Sequence, residues 1–377
     1  MRRALGVTGL ALLLMGCAAR AQDAAISQPP TADLNVSAAG AGPSGAIAYG
    51  VMVDELSSRD TYRVSLVSDD GLRTSVSAAK RRPIADGSGK AALDLPYVST
   101  TLHALYYLNG DALLFELPLD SLQPLAQPVM QLAVGDRMEA AFAVSPDDAT
   151  IAVSVLDFSR SPVHLLLYTA NLRGGDRHVI FESDTDYVWP VAWHQGLIVL
   201  AHANGPHVED ALRAAPARDN PYWAVSYHLV NPADATREVL MGQCTASGPL
   251  TPAGSACIQG GSIDWAGSAR FSGNTHDWGA ISAAASISPD GTYVAAADPG
   301  NFGQLDFWRE EGTIATFVDG PGAPEWAGWI DDTHVIVTSG TDSSFEPRIV
   351  TLSTGPSPAL FLAVTGFYAA RLPTDLI

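Results

Sequence analysis

Lysine is almost missing from this chain: Lys80 and Lys90 are the only two in 377 residues. Basic residues number 21 against 40 acidic ones, a formal net charge of −19. A surface of that sign repels phosphate backbones and anionic head groups, which excludes nucleic acid as a partner. The one tight basic cluster, Lys80 to Pro83 in "KRRP", lies in a Ser/Gly-rich stretch and reads as a solvated loop. Long apolar runs are also missing beyond Leu5 to Met15, which is too short to span a bilayer as a permanent helix. The motif vocabulary of common enzymes is absent: there is no G-x-S-x-G, no H-E-x-x-H and no G-x-x-x-x-G-K-[ST]. No EF-hand loop occurs among the acidic pairs. These absences leave no catalytic residue to name and no cofactor to expect beyond a covalent lipid. Cysteine is scarce, with Cys17, Cys244 and Cys257 making the full set.

The short apolar run has the layout of an export signal. Arg2 and Arg3 precede it, and small residues follow. Its ending, Leu14-Met15-Gly16-Cys17, resembles the lipobox of bacterial lipoproteins, with Met15 in place of the usual small or branched residue. The resemblance implies cleavage before Cys17, lipid on its sulfur, and residence in the cell envelope facing the periplasm or the exterior. Residues 1–16 are then a signal peptide. Ala19-Arg20-Ala21 offers a rival cleavage site that would discard Cys17 and release a secreted chain. Residues 17–45, rich in Ala, Gly, Pro and Ser, have little to bury and read as a disordered tether. With Cys17 lipidated, Cys244 and Cys257 remain as a pair in an oxidising compartment, and a disulfide is expected between them.

Beyond the tether the chain repeats itself. "AVSPDDATIAVSV" from Ala143 and "SISPDGTYVAAAD" from Ser286 share one layout: apolar entry, Ser-Pro-Asp, a turn, then an alternating β-prone run. Ser-Pro-Asp-Gly suits a type I turn, and Asp148, in place of the second copy's Gly291, tolerates a left-handed backbone. Weaker copies surround Trp193 and Trp329, and further hairpins centre on Asp69-Asp70-Gly71 and on Asn109-Gly110, the latter a two-residue turn signal. The spacing is about 40 to 50 residues, the length of a propeller blade. We therefore predict an all-β fold over residues 46–377: a propeller of seven four-stranded antiparallel blades, with six or eight as alternatives. The fifth slot holds the cysteine-bracketed segment, where a disulfide replaces the standard hairpin. Phe367 to Leu372 has strand composition and is expected to close the ring by pairing within the first blade. Trp193 and Trp329, each just before a turn, are expected to pack between blades.

At these residues the Ser-Pro-Asp hairpins resemble the blade motif of TolB-type and WD-repeat-like propellers, and of the propellers in prolyl oligopeptidase-like enzymes. The resemblance implies fold alone. The TolB-type N-terminal domain has no counterpart before Gly45, and there is no room for a peptidase domain.

Two places interrupt the repeat. "AHANGPHVEDALR" gathers His202, His207 and Glu209, weak candidates for metal ligands, beside Asp210. The plainer reading is a strand ending at His202, then a surface insert with a short helix over Val208 to Arg213. The insert runs from Asn204 to Tyr222, and loops of that length are often functional. Arg218, Tyr222, Trp223 and Trp278 are the side chains expected on an interaction surface. The reading is a membrane-tethered binding module for a protein or glycan partner. A lyase or hydrolase acting on sugars in the central channel, and a purely structural envelope lipoprotein, are the alternatives.

Overall fold

The computed structural model describes residues 48–54, 58, 60–80, 98–119, 126–203, 226–241, 246–247, 251, 255–259, 262–266, 285–297, 304–309, 312–318, 324–341, 344–352, 360–362 and 364–372. Among them are twenty-seven strands and no helix. The strands form seven antiparallel sheets, six of four strands and one of three, each a meander of consecutive strands apart from one exchange. That exchange closes the fold. Phe367–Leu372 pairs with Tyr49–Asp54 and becomes the inner strand of the first sheet, ahead of Thr61–Ser68 and Gly71–Ala79. The closure matches the prediction strand for strand.

Inner strands touch their neighbours in order. Phe367–Leu372 contacts Val98–Thr100 of the second sheet, which contacts Met138–Val144 of the third, which contacts Tyr187–His194 of the fourth. On the other side Ala285–Ile287 of the sixth sheet contacts Pro324–Trp329 of the seventh, which returns to Phe367–Leu372. The chain is an all-β propeller.

Burial follows from this stacking. A strand inside a blade has a sheet against each face, so both sets of its side chains are covered and period-two alternation vanishes. Thr150–Asp157, in the third sheet, is buried at every position after Thr150. The outer strand Gly71–Ala79 keeps one buried residue, Ala78. Trp193 joins Leu167, Val199 and Leu200 in an apolar cluster shared by the third and fourth sheets. Its Nε1–H donates to the Ala143 carbonyl of the third sheet (2.9 Å). Trp329 is likewise buried, against Val335 and Val350, with Tyr293 of the sixth sheet stacked at 6.3 Å.

The repeated phrase is turn chemistry. Ser145 Oγ accepts from Thr150 N (2.9 Å) and donates to Asp147 Oδ1 (2.6 Å). Ser288 Oγ accepts from Tyr293 N (2.9 Å) and donates to Asp290 Oδ1 (2.7 Å). The next residue is left-handed in both, Asp148 at φ 59° and Gly291 at φ 72°. Ser68 and Asp70 repeat the hydroxyl-to-carboxylate bond (2.5 Å) without a proline.

Two expectations change. The Asn109-Gly110 turn is longer than two residues: the strands end at Leu108 and resume at Leu113, and the left-handed residue is Ala112, at φ 59°. Asn109 Oδ1 caps it by accepting from Asp111 N and Leu113 N. Gly110 is needed for space, since a Cβ there would stand 2.3 Å from the Lys80 carbonyl oxygen. The fifth segment, expected to lack the standard hairpin, has one: Ser255–Gln259 pairs with Ser262–Ala266, and Ala246–Ser247 adds a third strand.

Candidate functional site

The fourth sheet carries a polar cluster. Its strands, from inner to outer, are Tyr187–His194, Leu197–Ala203, Ser226–Val230 and Arg237–Met241. The insert separates the second from the third. Register makes His202 and Ser226 direct partners across that gap, and sets His228 opposite Leu200. Side chains two apart on a strand share a face, so His202, Ser226 and His228 lie on one side of the sheet. Arg237 opens the outer strand opposite Val230 and comes over the Phe181 ring of the third sheet. Asp186 sits just before the inner strand, at the end of the sheet where the insert leaves and returns.

These five residues form a closed ring of hydrogen bonds. Arg237 Nη1 donates to Asp186 Oδ2, and Arg237 Nε donates to His228 Nδ1. His228 Nε2 is 3.0 Å from Ser226 Oγ, and Ser226 Oγ is 3.0 Å from His202 Nδ1. His202 Nε2 lies 2.8 Å from Asp186 Oδ1.

Donor arithmetic sets the protons. Arginine has no acceptor, so His228 Nδ1 must offer its lone pair, and the proton of the neutral ring is on Nε2. That N–H points at Ser226 Oγ, whose own proton is directed to His202 Nδ1. The remaining His202 proton, on Nε2, meets Asp186. Every donor in this chain then has one acceptor, with a single ion pair between Arg237 and Asp186.

The electrostatics agree with that assignment. Burial, and then the Arg237 charge, push the His228 imidazole down to about 3 from its ordinary 6.5, so it is neutral at working pH. The His202 hydrogen bond, outweighing burial and joined by Arg237, holds the Asp186 carboxyl well below the usual range. The ring is partly open to solvent on one side: the side chains of Asp186, Arg237 and His202 are 34%, 25% and 19% exposed. Ser226 is 5% exposed.

Of the residues singled out from sequence, His202 belongs to this cluster, with both ring nitrogens engaged. Cys17, Cys244, His207, Glu209, Arg218, Tyr222, Trp223 and Trp278 lie outside the described residues. The backbone of Cys257 stands in the fifth sheet opposite Ser247 and Asp264. Among the described residues no group of three His, Cys, Asp or Glu is placed to hold a metal ion. Sequence reasoning missed Asp186, Ser226, His228 and Arg237. A faint signal existed: "SYHLV" puts Ser226 and His228 at period two in a buried strand, an unusual face for two polar groups.

No protein-family model matches the chain, and no curated protein matches it in sequence. Solved structures do resemble it in fold. An oligogalacturonate lyase in complex with manganese is 11% identical, with a TM-score of 0.49 over 77% of this chain and 83% of that one. An oligogalacturonate lyase from Vibrio parahaemolyticus is 10% identical, with a TM-score of 0.46 over 80% and 90%. TolB from Acinetobacter baumannii is 9% identical, with a TM-score of 0.40 over 86% of this chain and 66% of that one. At these identities the likeness is one of fold and does not extend to a site.

Proposed function

We propose that this chain is a TolB-like propeller recognition module, held at a bacterial membrane by lipid on Cys17. It binds a protein or glycan partner at the end of the fourth sheet where residues 204–225 leave and return. The observation that carries this reading is the ring at the insert's base. Both anchors, His202 and Ser226, are locked to each other and to Asp186, His228 and Arg237. A binding surface on a fixed platform loses less freedom on association than one on a loose hairpin. The ring spans the end of the fourth sheet from Asp186, at the start of the inner strand, to Arg237 on the outer one, so it braces the whole end from which the insert leaves. In this reading Cys244 and Cys257 form a disulfide that braces the fifth sheet beside it.

Crosslinking in cells, followed by mass spectrometry of captured proteins and glycans, tests the reading. The full chain is expected to capture a reproducible partner, and a variant with residues 204–225 replaced by a short turn is expected to lose it. Unchanged capture by a folded variant overturns the proposal.

A further inference from the structure

The same ring has a second property that recognition does not require. Followed in one direction it connects a serine hydroxyl to an imidazole nitrogen, and the other nitrogen of that imidazole to a carboxylate. This is the connectivity of a nucleophilic relay: hydroxyl, general base, and an acid that holds the base in one tautomer. Such constellations are recognised by geometry and role, since they recur on unrelated folds and in any chain order. We propose that Ser226 is an acyl-accepting nucleophile, with His202 as its general base and Asp186 as the residue that positions His202, acting on neutral short-chain carboxylic esters.

The connectivity of the relay fits these roles. Ser226 Oγ is 3.0 Å from His202 Nδ1, inside the reach of direct proton transfer. His202 Nε2 is 2.8 Å from Asp186 Oδ1, which aims the Nδ1 lone pair at the hydroxyl. Asp186 stays a carboxylate because His202 and Arg237 hold its proton affinity down. It can therefore stabilise the imidazolium that forms when His202 takes the serine proton. His228 is kept neutral by burial and by Arg237, so its Nε2–H, 3.0 Å from Oγ, is a fixed uncharged donor. That donor is available to the carbonyl oxygen as negative charge develops on it. A purely structural staple would work equally well with His228 and Ser226 in either proton order. Arg237 removes that freedom and leaves one order, the productive one.

The step balances. Ser226 Oγ forms a bond to the ester carbonyl carbon while its proton passes to His202 Nδ1. The carbon–alkoxy bond then breaks, and the alkoxide leaves with the proton from His202 Nδ1. Water attacks the resulting acyl-serine, His202 again takes the proton, and the carboxylic acid is released as Ser226 recovers it. The substrate class follows from space and charge. Ser226 is only 5% exposed, which restricts the acyl group to a short one. The Asp186 carboxylate and the net charge of −19 disfavour an anionic acid component.

The test uses the purified full chain and a fluorophosphonate probe, which forms a phosphorus–oxygen bond to an activated serine and expels fluoride. Peptide mapping of the native protein is expected to find the adduct on Ser226, and to find none after unfolding in urea. Hydrolysis of p-nitrophenyl acetate is expected to fall about 10,000-fold or more in Ser226→Ala and in His202→Gln, the scale of losing a relay member. Asp186→Asn, a positioning change, is expected to lower kcat with KM little changed and to move the pH profile. Mapping of the wild-type chain needs no variant to fold. If the folded protein carries no adduct on Ser226, or is labelled equally in urea, the proposal is overturned. Partner capture by the insert is a separate readout and is not affected by either result.

Discussion

The ring of Tyr368 packs directly against the backbone of Gly328: a Cβ built on that glycine would stand 2.1 Å from the nearest aromatic carbons. Tyr368 belongs to the closing strand of the first sheet, and Gly328 to the inner strand of the seventh. The Tyr368 hydroxyl donates to the Trp329 carbonyl (2.8 Å), and Arg371 Nε donates to the Ile330 carbonyl (2.9 Å). The seam between the first and seventh sheets thus sets an aromatic ring on a bare glycine and bonds two side chains to backbone, beside an apolar cluster that includes Met52, Ile330 and Ile336.

Gly328→Ala therefore forces the seam apart. Overpacking of a tight interior commonly costs about 1–3 kcal/mol, and the loss here is expected at or above the top of that range because the obstacle is a buried ring. Tyr368→Phe keeps the ring and deletes one hydrogen bond to a buried carbonyl, at about 1 kcal/mol. Urea unfolding of the two variants is expected to rank them in that order. A reversed order would show that the hydroxyl, not the ring-on-glycine contact, governs closure.

A second tie joins the second and third sheets. Tyr106, fully buried, donates its hydroxyl to Asp148 Oδ1 at 2.9 Å, and Asp148 is the left-handed residue of the Ser-Pro-Asp turn. Burial, and then the Asp148 carboxylate, push the Tyr106 phenol far above its ordinary range, so it remains a donor at any working pH. Tyr106→Phe is expected to cost about 1–2 kcal/mol. Asp148→Asn keeps an acceptor and a residue that accepts φ 59°, and is expected to cost less than Asp148→Ala, which loses both. In a double-mutant cycle, Tyr106→Phe with Asp148→Ala should show coupling of about 1 kcal/mol. Additive losses would mean that the strained backbone alone makes Asp148 matter.

Acid is expected to weaken the fold in two windows. His228 in the folded chain protonates only near pH 3, against about 6.5 when unfolded. As pH falls through that interval the unfolded chain takes up a proton that the folded one refuses, so stability declines. The Asp186 carboxyl is held below its ordinary value of 3.8, so the stability it contributes is present above that pH and is lost below it. His228→Asn, which keeps an acceptor near Nδ1 for Arg237, is expected to be less stable at pH 7 yet to show a flatter decline between pH 6.5 and 3. Unfolding midpoints across that range measure it, and an unchanged slope would place the acid sensitivity elsewhere.

The turns and the closing strand are legible in sequence because their chemistry is local. Ser145 and Asp147 accept from backbone N–H groups within five residues, so the tripeptide carries its own geometry. Phe367 to Leu372 is readable because its composition has no other use. Gly110 misleads, since its need is the Lys80 carbonyl thirty positions earlier and not its own φ. The ring around Ser226 is illegible for the same reason on a larger scale. His202 and Ser226 become neighbours only once strand register is known across the insert. Asp186 and Arg237 join them from two further strand ends. His202 stands out in its own segment and Ser226 and His228 only faintly, but their arrangement as a site exists only in the fourth sheet's pairing.

The leader makes a prediction of its own. Cleavage before Cys17 would leave its sulfur to carry two acyl chains. At about 0.8 kcal/mol per buried methylene they hold a folded domain on a bilayer without help from its surface. The domain could not hold itself there electrostatically, because a chain with two lysines and a net charge of −19 is repelled by anionic lipid. All of the membrane affinity should then reside in one residue. Cys17→Ser is expected to move the chain from the membrane fraction to the soluble one and to abolish incorporation of an alkyne-labelled fatty acid. If the mature wild-type chain instead begins at Gln22, the cut follows Ala21, Cys17 is discarded, and the protein is secreted without an anchor.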